Sequence, residues 1–159
     1  MFKADKKHMH LAIEDAMQSL DDEGGGPFGA CIVENGQVIA TAHNTVLEET
    51  DPTCHAEINA IRKAAKSLGR FDLSGCVIYS TTEPCPMCFS AIHWAKIDTI
   101  IYGTNIQDVQ DLGFNELELS NQAMKKQGKS PVNIIEDFMR DECKELLDQW
   151  SKQTSAKTY

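Results

Sequence analysis

The 159-residue chain is 42% apolar and 25% charged, the balance of one globular domain able to bury roughly 70% of the surface its unfolded form exposes. A formal net charge of −9 removes the general attraction to phosphate behind most non-specific nucleic-acid binding, and no run approaches the roughly 18 apolar residues of a membrane helix, so neither partner is expected. The opening "MFKADKKHMHLAIEDAMQSL" adjoins no apolar signal-peptide core, and six cysteines in a chain of this size read as reduced thiols, so the expectation is a cytoplasmic protein.

Residues 3–20 predict a helix, with Ile13, Ala16, Met17 and Leu20 on one stripe and acids and lysines opposite. Three glycines and a proline in the stretch 21–27 stop it and free the backbone for a close approach. "FGACIVENGQVIATAHN" predicts two strands joined by a two-residue turn at Asn35-Gly36. A second helix is expected from about Thr53 to Leu68, capped by Asp51 or Thr53, with Arg62, Lys63, Lys66 and Arg70 on its wet face. "CVIYST" reads as a buried strand, and Pro86 suits the first turn of a third helix running to about Lys96. "TIIYGT" is another buried strand, followed by an irregular acidic segment near "QDLGFNE" and a solvated basic loop at 125–129. A last strand around "VNII" and a closing amphipathic helix over 137–152 complete one α/β domain spanning 1–159. Cys31, Cys76 and Cys143 lie in apolar-leaning segments and read as packing residues, and Cys54 as structural.

The chemistry is concentrated in two short stretches. In "CHAEINAI", His55 and Glu57 precede an apolar spacing, Ile58, Ile61, Ala65 and Leu68, that needs neither of them. In "EPCPMC", Cys85 and Cys88 stand three apart at a helix start and can reach one ion from the same side. With His55 they form a three-donor set of the kind zinc prefers, leaving one position for water. Glu57, two residues past the histidine, can touch that water without holding the metal and serve as the proton carrier. Both helix N-termini aim partial positive charge at the group, favouring thiolate over thiol. A redox role for the cysteine pair and a zinc-stabilised module without catalysis are the competing readings. A structural zinc wants a fourth ligand and has no use for Glu57.

The pattern His-x-Glu followed by Pro-Cys-x-x-Cys resembles the zinc nucleobase deaminases of the cytidine-deaminase-like superfamily. The wider run "GGPFGACIV", "HNTV", "DPTCHAE" and "EPCPMCFSAIHWA" is most similar to the guanine deaminase branch, with the likeness weakening between about Gln107 and Glu136. The resemblance implies a three-layer α/β/α sandwich around a mixed five-stranded sheet, one zinc ion per subunit, and hydrolysis of guanine to xanthine and ammonia in purine salvage or catabolism. It also implies that Asn44 hydrogen-bonds the purine and that Phe28 and Trp94 shape its flat pocket, with Ala56 among the substrate-binding residues. Guanine offers N1–H and 2-amino donors, which a buried carboxylate suits. The family's acidic turn reads Gly113-Phe114-Asn115-Glu116 here, which gives that part to Glu116 and departs from the pattern at Asn115. Members of this branch form homodimers that exchange C-terminal segments, so Tyr159 is expected to close a partner's site. Cytosine, guanosine and aminotriazines are alternative small substrates for the same chemistry, and a transfer-RNA adenosine deaminase is the nucleic-acid alternative.

Overall fold

The computed structural model describes residues 3–22 and 25–159. The chain order is α1 (Lys6–Asp22), β1 (Gly29–Glu34), β2 (Gln37–His43), α2 (Val46–Glu49), α3 (Ala56–Leu68), β3 (Cys76–Thr82), α4 (Pro86–Trp94) and β4 (Thr99–Thr104), then α5 (Ile106–Gln110), α6 (Asn121–Gly128), β5 (Asn133–Ile135) and α7 (Arg140–Ser151). The sheet is five-stranded in the order β2-β1-β3-β4-β5. β1 runs antiparallel to β2 and β3, while β3, β4 and β5 are parallel, so the expected mixed sheet is present. No helix among the described residues is long and apolar enough to cross a membrane.

Register sorts the strand side chains into two cores. Ile32, Ile78 and Ile100 lie opposite one another across β1, β3 and β4. They pack under α3 and α4 with Ala56, Ala60, Ala64, Phe89 and Ile92. Their neighbours Cys31, Tyr79 and Ile101 share the next row and point the other way, against Met9 and Ala12 of α1 and Cys143 of α7. Because both faces are covered, β3 and β4 are buried at every position, which explains why they read as continuous apolar runs rather than alternating ones. Burial pushes the Cys31 and Cys143 thiols up to about 12, as fits cysteines that serve as packing.

Several local expectations need correction. The buried stripe of α1 is Met9, Ala12, Ala16 and Leu20, and Met17 is 43% exposed because the helix is rotated toward the small residues that meet the sheet. The Asn35-Gly36 turn is confirmed by φ values of 50° and 78° at those two residues. α3 begins one residue past His55, and neither Asp51 nor Thr53 caps it. Asp51 instead accepts from the Thr53 amide and hydroxyl at 2.8 and 2.7 Å. The stretch expected to be irregular contains α5, opened by a reciprocal Asn105–Asp108 capping box, and α6, capped by Ser120. Lys125 and Lys126 therefore lie in the last turn of α6 rather than in a loop.

Candidate active site

β3 leaves the sheet at Thr82, and Glu83 and Pro84 carry the chain to Cys85, the N-cap of α4. Pro86 occupies the first helical position, where a missing N–H costs nothing. His55 is likewise the N-cap of α3, so two helices start at one place beyond the carboxyl end of β3. Neither cap side chain bonds its own helix, which leaves both free for another partner.

That partner is legible from the spacing of the donors. His55 Nδ1 lies 3.6 Å from the Sγ atoms of both Cys85 and Cys88, and the three donors fall within 4.8 Å of one another. Zinc bonds of about 2.0 Å to nitrogen and 2.3 Å to sulfur, held at tetrahedral angles, place such donors roughly 3.5 Å apart. One nitrogen and two sulfurs also select zinc over oxygen-seeking cations. No fourth donor joins the group among the described residues. The hydrogen bond from Cys88, aided by the His55 imidazole, draws the Cys85 thiol down to about 4.

Glu57 occupies the first turn of α3 and is buried beside this set. Its Oε1 accepts from the Ser80 hydroxyl at 3.0 Å, and its Oε2 lies 3.5 Å from Cys88 Sγ. Burial raises its carboxyl above the ordinary range, and the negative charge of Cys85 adds to that. A carboxyl group so placed holds a proton readily, as an acid–base carrier must.

A cavity of about 250 Å³ opens onto these groups, with Phe28, Asn44, Phe114, Glu116 and Tyr159 among its walls. Phe114 stands edge-on to Phe28 and to Tyr159, at centroid distances of 5.2 and 5.1 Å, giving the cavity an aromatic side. Asn44 Oδ1 accepts from the amides of Gly26 and Val46 at 3.3 and 3.1 Å. Its Nδ2 is buried with no partner among the described residues, and so is the Tyr159 hydroxyl. Burial raises the Glu116 carboxyl to about 7, the Cys85 charge adding to it. No lysine or arginine lines the cavity among the described residues.

The glycine-rich break performs the close approach read from its composition. A Cβ on Gly25 would strike Asn44 Oδ1, and one on Gly26 would strike the Phe28 ring. Gly24 of the same run lies outside the described residues. The chain end reaches the cavity of its own chain, where the Tyr159 carbonyl accepts from the Asn115 amide at 3.0 Å.

His55, Glu57, Cys85, Cys88, Asn44, Phe28, Glu116 and Tyr159 are thus brought together. Two expected pocket residues are not. Trp94 is 79% exposed, because it ends α4 nine positions after Cys85, about 13 Å along the axis from the metal-facing end. Ala56 turns its methyl into the core beneath α3, away from the cavity. Sequence reading passed over Ser80, Thr82 and Glu83, all buried. Polar residues inside an apolar strand, and an acid immediately before a metal-facing Pro-Cys, were the signals available for them.

Residues 2–104 match the family model described as the cytidine and deoxycytidylate deaminase zinc-binding region. Guanine deaminase of Bacillus subtilis is 44% identical over 105 residues, covering 66% of this chain and 67% of that one. The tRNA-specific adenosine deaminase of the same organism is 29% identical over 153 residues, covering 96% and 92% of the two chains. The solved guanine deaminase of Nitrosomonas europaea superposes with a TM-score of 0.87 at 26% identity, covering 96% and 87%.

Proposed function

Because the chain belongs to the cytidine and deoxycytidylate deaminase zinc-binding family, and is a hydrolytic deaminase of that superfamily, we propose that its substrate is free guanine, released as xanthine and ammonia. The observation that carries this reading is the cavity: about 250 Å³, covered by Tyr159, aromatic on one side, and without a cation on its walls among the described residues. That volume falls below the range of about 300–1,000 Å³ typical of drug-sized ligands, as suits a single base. The polar groups match guanine in kind. Asn44 Nδ2 is a donor in need of a ring acceptor, and Glu116 accepts from N1–H and the amino edge.

His55, Cys85 and Cys88 are the residues that hold zinc in this reading. Zinc bound there supplies the Lewis acidity that makes water nucleophilic near neutral pH. Glu57 takes the proton given up by the attacking water and passes it to the ring nitrogen and then to the departing amine. Ser80 keeps Glu57 Oε1 engaged, which turns Oε2 toward the donor set. Phe28, Phe114 and Tyr159 hold the ring flat and exclude bulk water, strengthening every polar contact inside.

The second reading, a transfer-RNA adenosine deaminase, is favoured by the relative that matches nearly the whole chain. It requires an extruded nucleotide with phosphates on either side, and a net charge of −9 and a wall without cations offer those phosphates little. Ammonia release by the zinc-loaded protein over guanine, guanosine, cytosine, adenine and a transfer-RNA anticodon stem separates the readings. A dominant rate on guanine is expected, and a dominant rate on the anticodon stem overturns the proposal. The proposal extends to assembly as a homodimer with exchanged C-terminal segments. Mixing Glu57→Gln chains with chains lacking Tyr159 restores activity if tails cross between subunits, and restores none if each tail closes its own site.

A further inference from the structure

Glu83 precedes the Pro84–Cys85 turn and lines the cavity, yet neither of its oxygens is free for a substrate. Oε2 accepts from the Ile106 amide at 3.1 Å, the first residue of α5. Oε1 accepts from the Asn121 amide at 2.8 Å, the first residue of α6. The Glu83 amide in turn donates to the Thr104 carbonyl at 2.7 Å, at the end of β4. Asn121 closes the ring, its Nδ2 donating to the Pro84 carbonyl at 2.6 Å. One buried carboxylate thereby joins the metal-facing turn to both ends of the segment 111–120, which carries Phe114 and Glu116.

Packing alone does not call for a charge here. No ion pair reaches Glu83 among the described residues, and a buried carboxylate without a cation is expensive unless hydrogen bonds replace its water. Two main-chain N–H groups at helix starts do replace it, and only a two-oxygen acceptor can satisfy both at once. Between α5 and α6 the segment has few other ties. Its own amides make short local turns, the Asn115 amide holds the Tyr159 carbonyl, and Gln110 braces Glu118 at 2.7 Å on the surface.

We propose that Glu83 is a positioning residue that sets substrate affinity by fixing Glu116 relative to the Cys85–Cys88 turn. This inference rests on deamination in this cavity and not on which base is deaminated. In Glu83→Gln the amide NH₂ faces a main-chain N–H, so one of the two links is lost while the volume is kept. Glu57, Ser80 and His55 belong to α3, β3 and its approach, and are untouched by that loss.

The test uses zinc-loaded full-length Glu83→Gln, Glu116→Gln and the double variant, assayed on whichever panel substrate the wild type turns over best. Amide hydrogen exchange is measured in parallel, since it reads the clamp without any substrate. Glu83→Gln is expected to raise KM about tenfold with kcat within threefold, to keep one zinc per chain, and to speed exchange about tenfold over residues 106–121 while the amides of β1 and β3 keep their rates. In the Glu116→Gln background it should add less than twofold to KM, because its effect passes through Glu116. Fully additive KM effects, or unchanged exchange over 106–121, overturn the proposal. Should Glu83→Gln fail to fold, Asn121→Ala cuts the link to Pro84 alone, and it is held to the same outcomes. Absence of turnover on every panel substrate counts against the deaminase reading, and the exchange data then judge the clamp independently.

Discussion

Glu57 is the residue on which the chemistry turns, and its neighbours determine what its replacement should do. Gln keeps the shape, still meets the Ser80 hydroxyl through its carbonyl, and leaves the three zinc-facing donors alone. It cannot carry a proton between water and a leaving amine. Glu57→Gln should therefore lose about 10²–10⁴-fold in kcat, the usual worth of a placed acid–base group, while zinc content stays at one per chain. Ammonia release and metal analysis on the same sample check both halves, and retention of full activity would sink the proton-carrier role. His55, Glu57, Cys85 and Cys88 were legible in the sequence because residue type and short spacing within one helix turn carry their meaning. Trp94 was misplaced because resemblance gives a position in a motif, whereas the pocket is set by which end of α4 that position occupies.

Elements are held in register by contacts that single motifs do not announce. α1 is tied to β2 by Asp15 Oδ1 and His43 Nδ1 at 2.6 Å, next to the substrate-facing Asn44. Burial pushes the Asp15 carboxyl up, but hydrogen bonds from His43 and Thr41, with the His43 charge, outweigh it and leave it below its usual range. A depressed carboxylate stabilises the fold fully above its unfolded value of about 3.9, and that contribution is lost as pH falls through the lower folded value. Asp15→Asn should thus cost about 1 kcal/mol at pH 7, a modest figure for a pair partly screened by water. Its penalty should shrink as pH drops below 4, and urea unfolding at pH 7 and pH 3 measures both. The same helix presses onto β1 at Gly29, where a Cβ would strike the Ala12 carbonyl oxygen. Gly29→Ala should then lose about 1–3 kcal/mol through overpacking of backbone against backbone, read from the same unfolding curves. Strands and long helices were legible here because burial on both faces writes apolar runs. α5 and α6 were not, since their caps and short lengths leave almost no periodic signal over five and eight residues.

At the scale of the whole molecule, the chain end matters out of proportion to its packing. The strand order and the meeting of α3 with α4 are non-local facts that composition cannot give. The return of Tyr159 to the cavity is another, supplied in advance only by resemblance. Ser151, Lys152 and residues 154, 155, 157 and 158 are exposed, so the tail adds little to the core. Its last residue nevertheless packs edge-on to Phe114 and against the cluster of Leu146, Leu147 and Trp150 that seats α7. Removing residues 157–159 should therefore leave the unfolding midpoint nearly unchanged, because a frayed terminus contributes little to global stability. Turnover should respond very differently. Without Tyr159 the cavity opens to bulk water, the aromatic wall loses a member, and the Asn115 amide beside Glu116 loses its carbonyl partner. A rise of about tenfold or more in KM with a fall in kcat is expected, since excluded water and fixed geometry both serve the transition state. Tyr159→Phe isolates the hydroxyl, which is buried with no partner among the described residues and so has its use only when substrate is present. That variant should keep the closed shape and lose affinity by roughly tenfold, the worth of one hydrogen bond in a dry site. Unchanged kinetics in the truncated chain would show that the tail is a bystander, and would return the closing of the cavity to segment 111–120 alone.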